Sequence, residues 1–183
     1  METGKIVKTF QSKKGNKVVI RYLRWEDLNN LLEYANKLSK ENTFVLLSGE
    51  EVTLDEEIKY VSKSLGRMAK NEKVHMVAEI NGTFAGNAEI NRYTRRQKHA
   101  GDVAISIARE FREEGIGTIF LETLIDEGKK LGLTLLTIDC MENNDRAIHV
   151  YEKVGFIRIG VIPSMNKYNG KYVGLVKFYL PLV

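Results

Sequence analysis

A chain of 183 residues with 43% hydrophobic content can bury one core of ordinary domain size, and no apolar run reaches the ~18 residues needed to span a bilayer as a helix. The net charge of +4, from 28 Lys+Arg against 24 Asp+Glu, is mildly basic, and no zinc-finger spacing, RNP-like aromatic pattern or long Arg/Lys arm argues for nucleic acid. Residues Met1 to Lys17 lack the apolar segment of a secretory signal, and the single cysteine, Cys140, cannot close an internal disulfide, so a cytoplasmic location is expected.

With prolines only at 163 and 181 and no Gly/Ser-rich tract, the chain reads as one domain over residues 1–183, its core about 18–181. Residues 17–24 alternate Val18, Ile20 and Tyr22 with Val19, Arg21 and Leu23, a strand period. Trp25-Glu26-Asp27 opens a helix through about Ser39, with Leu28, Leu31, Leu32, Ala35 and Leu38 at helical spacing. A second helix starts at Thr53, where Thr53 and Glu56 form a capping box, and its stripe runs Ile58, Val61, Leu65, Met68. His75 to Ile80 and Phe84 to Tyr93 read as strands joined at Asn81-Gly82, a type I′ turn signal.

A basic stretch follows, with Arg92, Arg95, Arg96, Lys98 and His99; it has the composition of a solvated loop and also suits phosphates or an acidic partner. In the strand from Asp102 to Ala108, the bulky Val103, Ile105 and Ile107 alternate with the small Ala104, Ser106 and Ala108. The small face admits either a helix or a ligand at close range. After a glycine-containing turn come a helix to about Leu131, a strand from Leu133 to Asp139, and a helix from Asn144 to Val154 with Gly155 as its C-terminal cap. A final hairpin runs from Ile157 to Leu180 around Asn169-Gly170. The order β-α-α-β-β-β-α-β-α-β-β predicts a mixed α/β sheet, antiparallel first, with a parallel crossover in the middle.

The turn from Arg112 to Gly117 carries the chemistry. Gly115 and Gly117 let backbone lie close to a ligand, and the helix start aims free N–H groups and a positive dipole end at it, which favours a phosphate or pyrophosphate. Arg112 adds charge that Glu113 and Glu114 partly offset. The dinucleotide fingerprint lacks its third glycine, and the P-loop lacks its Gly-Lys-Ser/Thr end. What remains is Arg/Gln-x-x-Gly-x-Gly/Ala, and Arg112 to Gly117 resembles this pyrophosphate signature of the GNAT N-acetyltransferase superfamily. Downstream, Asn144, Ala147, Tyr151, Gly155 and Phe156 fall where the superfamily's Asn-x-x-Ala-x-x-x-Tyr-x-x-x-Gly-Phe run has them. The resemblance extends from about Val18 to the last hairpin.

The resemblance implies a GNAT fold in which the central parallel strands splay and the pantetheine arm of acetyl-CoA lies in the gap. The backbone of Ile105, Ser106 and Ile107 would pair with that arm and polarise the acetyl carbonyl. The N–H groups of Arg112, Glu113, Glu114, Gly115, Ile116, Gly117 and Thr118 would cradle the pyrophosphate. Asn144 would hydrogen-bond the pantetheine, with Ala147, Val150 and Tyr151 beside it. Tyr151 would also be the general acid for the leaving thiol, a modest task because free thiols have pKa near ~8.5. Its place in the stripe 147, 150, 151, 154 also suits a core aromatic, but its match to the motif's tyrosine favours the acid.

Asp102, Glu89 and His99 are the candidate bases, and Glu89 is the choice made from sequence. His75 and His149 have no metal-ligand spacing, so no metal is expected, and no motif places an activating group beside Cys140. Acceptor choice would lie with residues 26–68 and 157–180, where Glu41, Glu50, Glu51, Asp55, Glu56 and Glu57 could draw a cationic amine. Many relatives have an acidic residue two positions after a hairpin tyrosine; here Gly174 follows Tyr172. The expected activity is acetyl transfer from acetyl-CoA to a primary amine, of a small molecule or a protein, by direct attack. A non-catalytic acetyl-CoA-binding module is the alternative, and the resemblance also suggests a homodimer.

Overall fold

Eight strands form one mixed sheet in the computed structural model, which describes residues 1–182. In chain order the strands are β1 (Ile6–Gln11), β2 (Lys17–Tyr22), β3 (Lys73–Ile80), β4 (Thr83–Arg92), β5 (Ala100–Ile107), β6 (Leu135–Met141), β7 (Ile157–Tyr168) and β8 (Lys171–Pro181). The helices are α1 (Leu28–Lys40), α2 (Leu54–Ala69), α3 (Ile116–Lys130) and α4 (Asp145–Lys153). The spatial order is β1-β2-β3-β4-β5-β6-β8-β7, and only β5 and β6 run parallel. Among the described residues no helix is long and apolar enough to cross a membrane.

The sheet is covered on both faces, and the alternation of each strand decides which residue meets which layer. Val74, Met76, Ala88, Ile90 and Val103 face α3, where Phe120, Leu121 and Leu124 complete the main core. Val77 points the other way, to a second cluster with Leu23, Leu31, Val61 and Met68 under α1 and α2. The capping box forms as expected: Glu56 N–H donates to Thr53 Oγ1 at 3.3 Å and Thr53 N–H to Glu56 Oε2 at 2.9 Å. Asn81 and Gly82 (φ 49° and 84°) and Asn169 and Gly170 (φ 50° and 76°) take the paired positive φ of a type I′ turn.

One strand, β1, lies ahead of the expected first strand and pairs antiparallel with β2. Of its residues only Val7 and Phe10 pack toward the core, so no alternating pattern marks it as a strand.

The feature that shapes a site is the parting of β5 from β6. They pair from Ala100↔Leu135 to Val103↔Ile138 and no further, although β5 continues to Ile107 and β6 to Met141. On the outer sides pairing persists, with β4 to Gly86↔Ile107 and with β8 to Met141↔Leu175. The sheet therefore opens into a wedge, with backbone groups of residues 104–107 left without a strand partner on the β6 side. This is the splay that the resemblance implies.

Candidate active site

The loop at the mouth of the wedge owes its shape to positive φ at Glu113 (68°) and Gly115 (78°). Gly115 is the N-cap of α3 and supplies no side-chain cap, so the first N–H groups of the helix keep no side-chain acceptor. A Cβ on Gly115 would press on the Lys13 side chain at 3.2 Å, whereas one on Gly117 would meet nothing within 4 Å. Protein packing thus accounts for Gly115 but not for Gly117; the bare backbone there leaves room over the helix start for an anion.

The charged residues of this loop have separate tasks. Glu114 is buried and turned toward the β1–β2 hairpin, where it accepts from Ser12 Oγ at 2.6 Å and Asn16 Nδ2 at 2.9 Å, with Lys14 Nζ at 3.5 Å. Those hydrogen bonds hold its carboxyl below the ordinary value. Glu113 pairs at the surface with Arg146 of α4 at 2.7 Å. Arg112 donates Nε to the Ile107 carbonyl at 2.9 Å and reaches Glu41 at 3.3 Å, tying the end of β5 to the end of α1. Ile116 anchors the helix start among Val18, Ile80 and Ala85, and Thr118 stays half-exposed.

Along the wedge, Ile105, Ser106 and Ile107 are half-exposed and Ala104 is open. Tyr34 of α1 brings its hydroxyl beside Ser106, buried and without a closed hydrogen bond. On the far side, Asn144 caps α4 by accepting from Ala147 N–H at 3.2 Å, and Ala147 and Val150 are half-buried. Tyr151 packs its ring on Phe178 (5.7 Å) and Phe156 (6.2 Å). Burial raises its phenol, and Cys140 and Asp139, on the part of β6 beyond its pairing with β5, add to the effect. The Tyr151 hydroxyl makes no hydrogen bond among the described residues. Cys140 is buried, and burial first, then Asp139, pushes its thiol up to about 11.

The two carboxylates weighed as bases lie on one face of neighbouring strands. Glu89 accepts from Tyr60 (2.7 Å) and Asn91 (2.6 Å) and forms an ion pair with Lys73 (2.5 Å). Burial would raise its carboxyl, but Lys73, His75 and Tyr60 outweigh burial and hold it at about 2. A carboxylate so firmly ionised is a weak acceptor for an amine proton. A polar chain links it to the wedge: Ser106 Oγ donates to Asn87 Oδ1 at 2.9 Å, Asn87 Nδ2 is 3.4 Å from His75 Nε2, and His75 Nδ1 is 3.8 Å from Glu89. His75 is fully buried, and burial first, then Lys73, lowers it to about 4, which keeps the ring neutral.

Asp102 sits where the strands begin to part. Thr137 donates to its Oδ1 at 2.9 Å and Tyr93 lies 3.4 Å from the same atom, while Oδ2 has no hydrogen bond among the described residues. Burial, reinforced by Asp139, raises its carboxyl. His99 is exposed in the basic loop, away from these groups.

The acidic run of the first helical region is largely engaged locally: Glu41 with Arg112, Glu50 with Ser48, Glu56 in its capping box, and Glu57 buried with its carboxyl raised. Over Gly174 lies the carboxylate of Glu142, in the space that a Cβ there would take. An acidic group therefore reaches this part of the hairpin from the end of β6, a contact the sequence pattern did not reveal.

A family model described as acetyltransferase (GNAT) family matches residues 30–156. The chain is 31% identical over 91 residues to the probable N-acetyltransferase camello of Xenopus tropicalis, covering 49% of this chain and 42% of that protein, so it spans less than half of that relative. Its fold is similar to a GNAT-family acetyltransferase from Streptococcus pneumoniae, with a TM-score of 0.81, 26% identity and coverage of 90% and 98% of the two chains. It is also similar in fold to a spermidine N-acetyltransferase from Vibrio cholerae solved with CoA and spermine, with a TM-score of 0.77, 20% identity and coverage of 90% and 95%. The family match spans more than half of the sequence, including both glycine-bearing segments and the strand between them, and the chain belongs to the GNAT acetyltransferase family.

Proposed function

We propose that this chain is an acetyl-CoA-dependent N-acetyltransferase acting on a primary amine. The observation that carries the reading is the wedge between β5 and β6 with the uncapped start of α3 at its mouth. Its walls fit the cofactor: free backbone groups suit an amide-bearing arm, and the helix start with open space at Gly117 suits a pyrophosphate. CoA in the Vibrio cholerae neighbour supports the same use of the fold.

When bound, acetyl-CoA supplies an activated thioester, whose acetyl carbon bonds to the amine nitrogen as its bond to sulfur breaks, the amine's proton ending on sulfur. The chain's own residues arrange this. N–H groups from Glu113 to Thr118 hold the pyrophosphate, that of Arg112 being given to the Arg109 carbonyl at 3.3 Å, while backbone donors of Ile105 to Ile107 align the arm and polarise the carbonyl. Asn144, Ala147 and Val150 flank it. Asp102 replaces Glu89 as the base: its raised carboxyl and free Oδ2 suit it to take a proton from the amine, directly or through water. Tyr151, kept protonated by burial, gives a proton to the departing sulfur and regains one from solvent as Asp102 releases the amine's proton to it, so that the net transfer is from nitrogen to sulfur.

The test is thiol release from acetyl-CoA across amino acids, polyamines, aminoglycosides and peptides. Release that Asp102→Asn lowers by about a hundredfold while acetyl-CoA still binds supports the reading. Bound acetyl-CoA with no release to any amine overturns it in favour of a non-catalytic binding module.

A further inference from the structure

Beneath α2, on the face of the sheet opposite α3, is a cavity of about 150 Å³. Lys63 and Arg67 of α2 and Lys73 of β3 line it, and Glu89 and Asn91 of β4 form its floor. Glu89 is matched by Lys73 at 2.5 Å, so the charge of Lys63 and Arg67 remains in excess. Arg67 is held by Asn91 Oδ1 at 2.9 Å and by the carbonyls of Glu72 and Arg92 at 3.0 and 3.1 Å. Those uncharged partners orient the guanidinium without neutralising it; its acidic neighbour, Glu72, is half-exposed and 4.0 Å away. Lys63 forms no ion pair among the described residues. The contact with the Arg92 carbonyl joins the cavity to the start of the basic loop, whose Arg95, Arg96 and Lys98 are exposed.

The cavity adjoins the wedge. In the β4–β5 register Glu89 lies opposite Ala104 and Asn91 opposite Asp102. Adjacent strands are ~4.8 Å apart, so the strand that carries the cavity floor lies one spacing from the strand that carries the open Ala104 and Asp102. We infer that the acceptor is a small α- or β-amino acid, whose carboxylate docks against Lys63 and Arg67 while its amine lies over Ala104 beside Asp102. Such a molecule carries its carboxylate and amine within one strand spacing of each other, so both can be engaged across the β4–β5 pair, whereas the N-terminus of a peptide without an acidic first residue has no carboxylate so close. A polyamine would bring like charge against the excess charge of Lys63 and Arg67. The Vibrio cholerae neighbour, solved with spermine, has the same fold, so the choice rests with side chains.

This inference rests on the transferase reading, and its test separates the two. Thiol release is measured with glycine, alanine and β-alanine, with their methyl esters and amides, and with spermine. The expected result is a kcat/KM for the acids at least about tenfold above that of their esters and amides, the effect of one charge-assisted contact. Lys63→Glu should raise KM for the acids by about tenfold, with kcat and the KM for acetyl-CoA retained, and should leave the esters unaffected. Lys129→Glu, the same charge change on the exposed end of α3, should move none of these values. Turnover of esters, amides or spermine equal to or above that of the acids overturns the inference and leaves the transferase reading standing. If no acceptor releases thiol, the transferase reading fails, and titration of the CoA-loaded protein with the same amino acids judges the cavity. Binding weakened by Lys63→Glu supports the site, and absence of binding overturns it.

Discussion

Glu89 and Asp102 lie two positions apart in register on adjacent strands, face the same side of the sheet and are both partly buried, yet their environments differ in kind. Glu89 has a lysine, a tyrosine and an asparagine on its oxygens, and Lys73 is the reason its carboxyl sits at about 2. Among the described residues Asp102 has hydroxyls on one oxygen, no hydrogen bond on the other and no cation within ion-pair distance, so burial raises it. Burial with a counter-charge makes a carboxylate structural; burial without one at an opening in the sheet makes it available for proton transfer. The sequence points to Glu89 without showing its ion pair, because the partner, Lys73, comes from another strand.

The sharpest way to break this comparison is to neutralise each carboxylate in turn. Glu89→Gln leaves Lys73 buried without its charge partner and should cost about 3–5 kcal/mol of stability, read from denaturant unfolding. Replacing both members with apolar residues should recover much of that loss; equal destabilisation by the double variant would show that the pair is not the cause.

The polar chain that runs from Glu89 through His75 and Asn87 to Ser106 gives an acid-sensitive signal. His75 titrates near 6.5 when unfolded and about 4 when folded, so the unfolded chain binds more protons in between. Stability should therefore fall as pH drops from about 6.5 to about 4, by about 3 kcal/mol, and this contribution levels off below that. Glu89, with a folded value of about 2, should extend the decline as pH falls below about 4.5. His75→Gln should flatten the upper part of the curve, and an unchanged slope there would remove His75 as its source.

Asp102→Asn should lower kcat/KM by about a hundredfold, with the fold and acetyl-CoA affinity intact, whereas its effect on unfolding should be small beside that of Glu89→Gln. The smallest effect belongs to Tyr151→Phe, which should reduce kcat by about tenfold while cofactor binding is unchanged, because a thiolate leaves readily even without an acid. Unchanged turnover would reduce Tyr151 to the aromatic packing it shares with Phe156 and Phe178.

Much of the fold was legible because it depends on local chemistry. The Thr53–Glu56 box, the two Asn-Gly turns and the alternation from Val103 to Ser106 each correspond to an element in the structure. The strand β1 was not legible, since an edge strand with two inward residues has no period to detect. Nor was the role of Glu114, whose partners Ser12 and Asn16 come from the other end of the chain. The same limit hid the cationic cavity: Lys63, Arg67 and Lys73 are spaced along a helix and a strand, and only their folding over Glu89 and Asn91 makes them one site.

The central claim, that the wedge between β5 and β6 with the α3 start holds acetyl-CoA, is tested most directly by amide hydrogen exchange with and without acetyl-CoA. The account predicts added protection in residues 104–107 and 113–118, with the outer strands β1 and β7 unaffected. Protection that misses both segments, with acetyl-CoA bound, would contradict it.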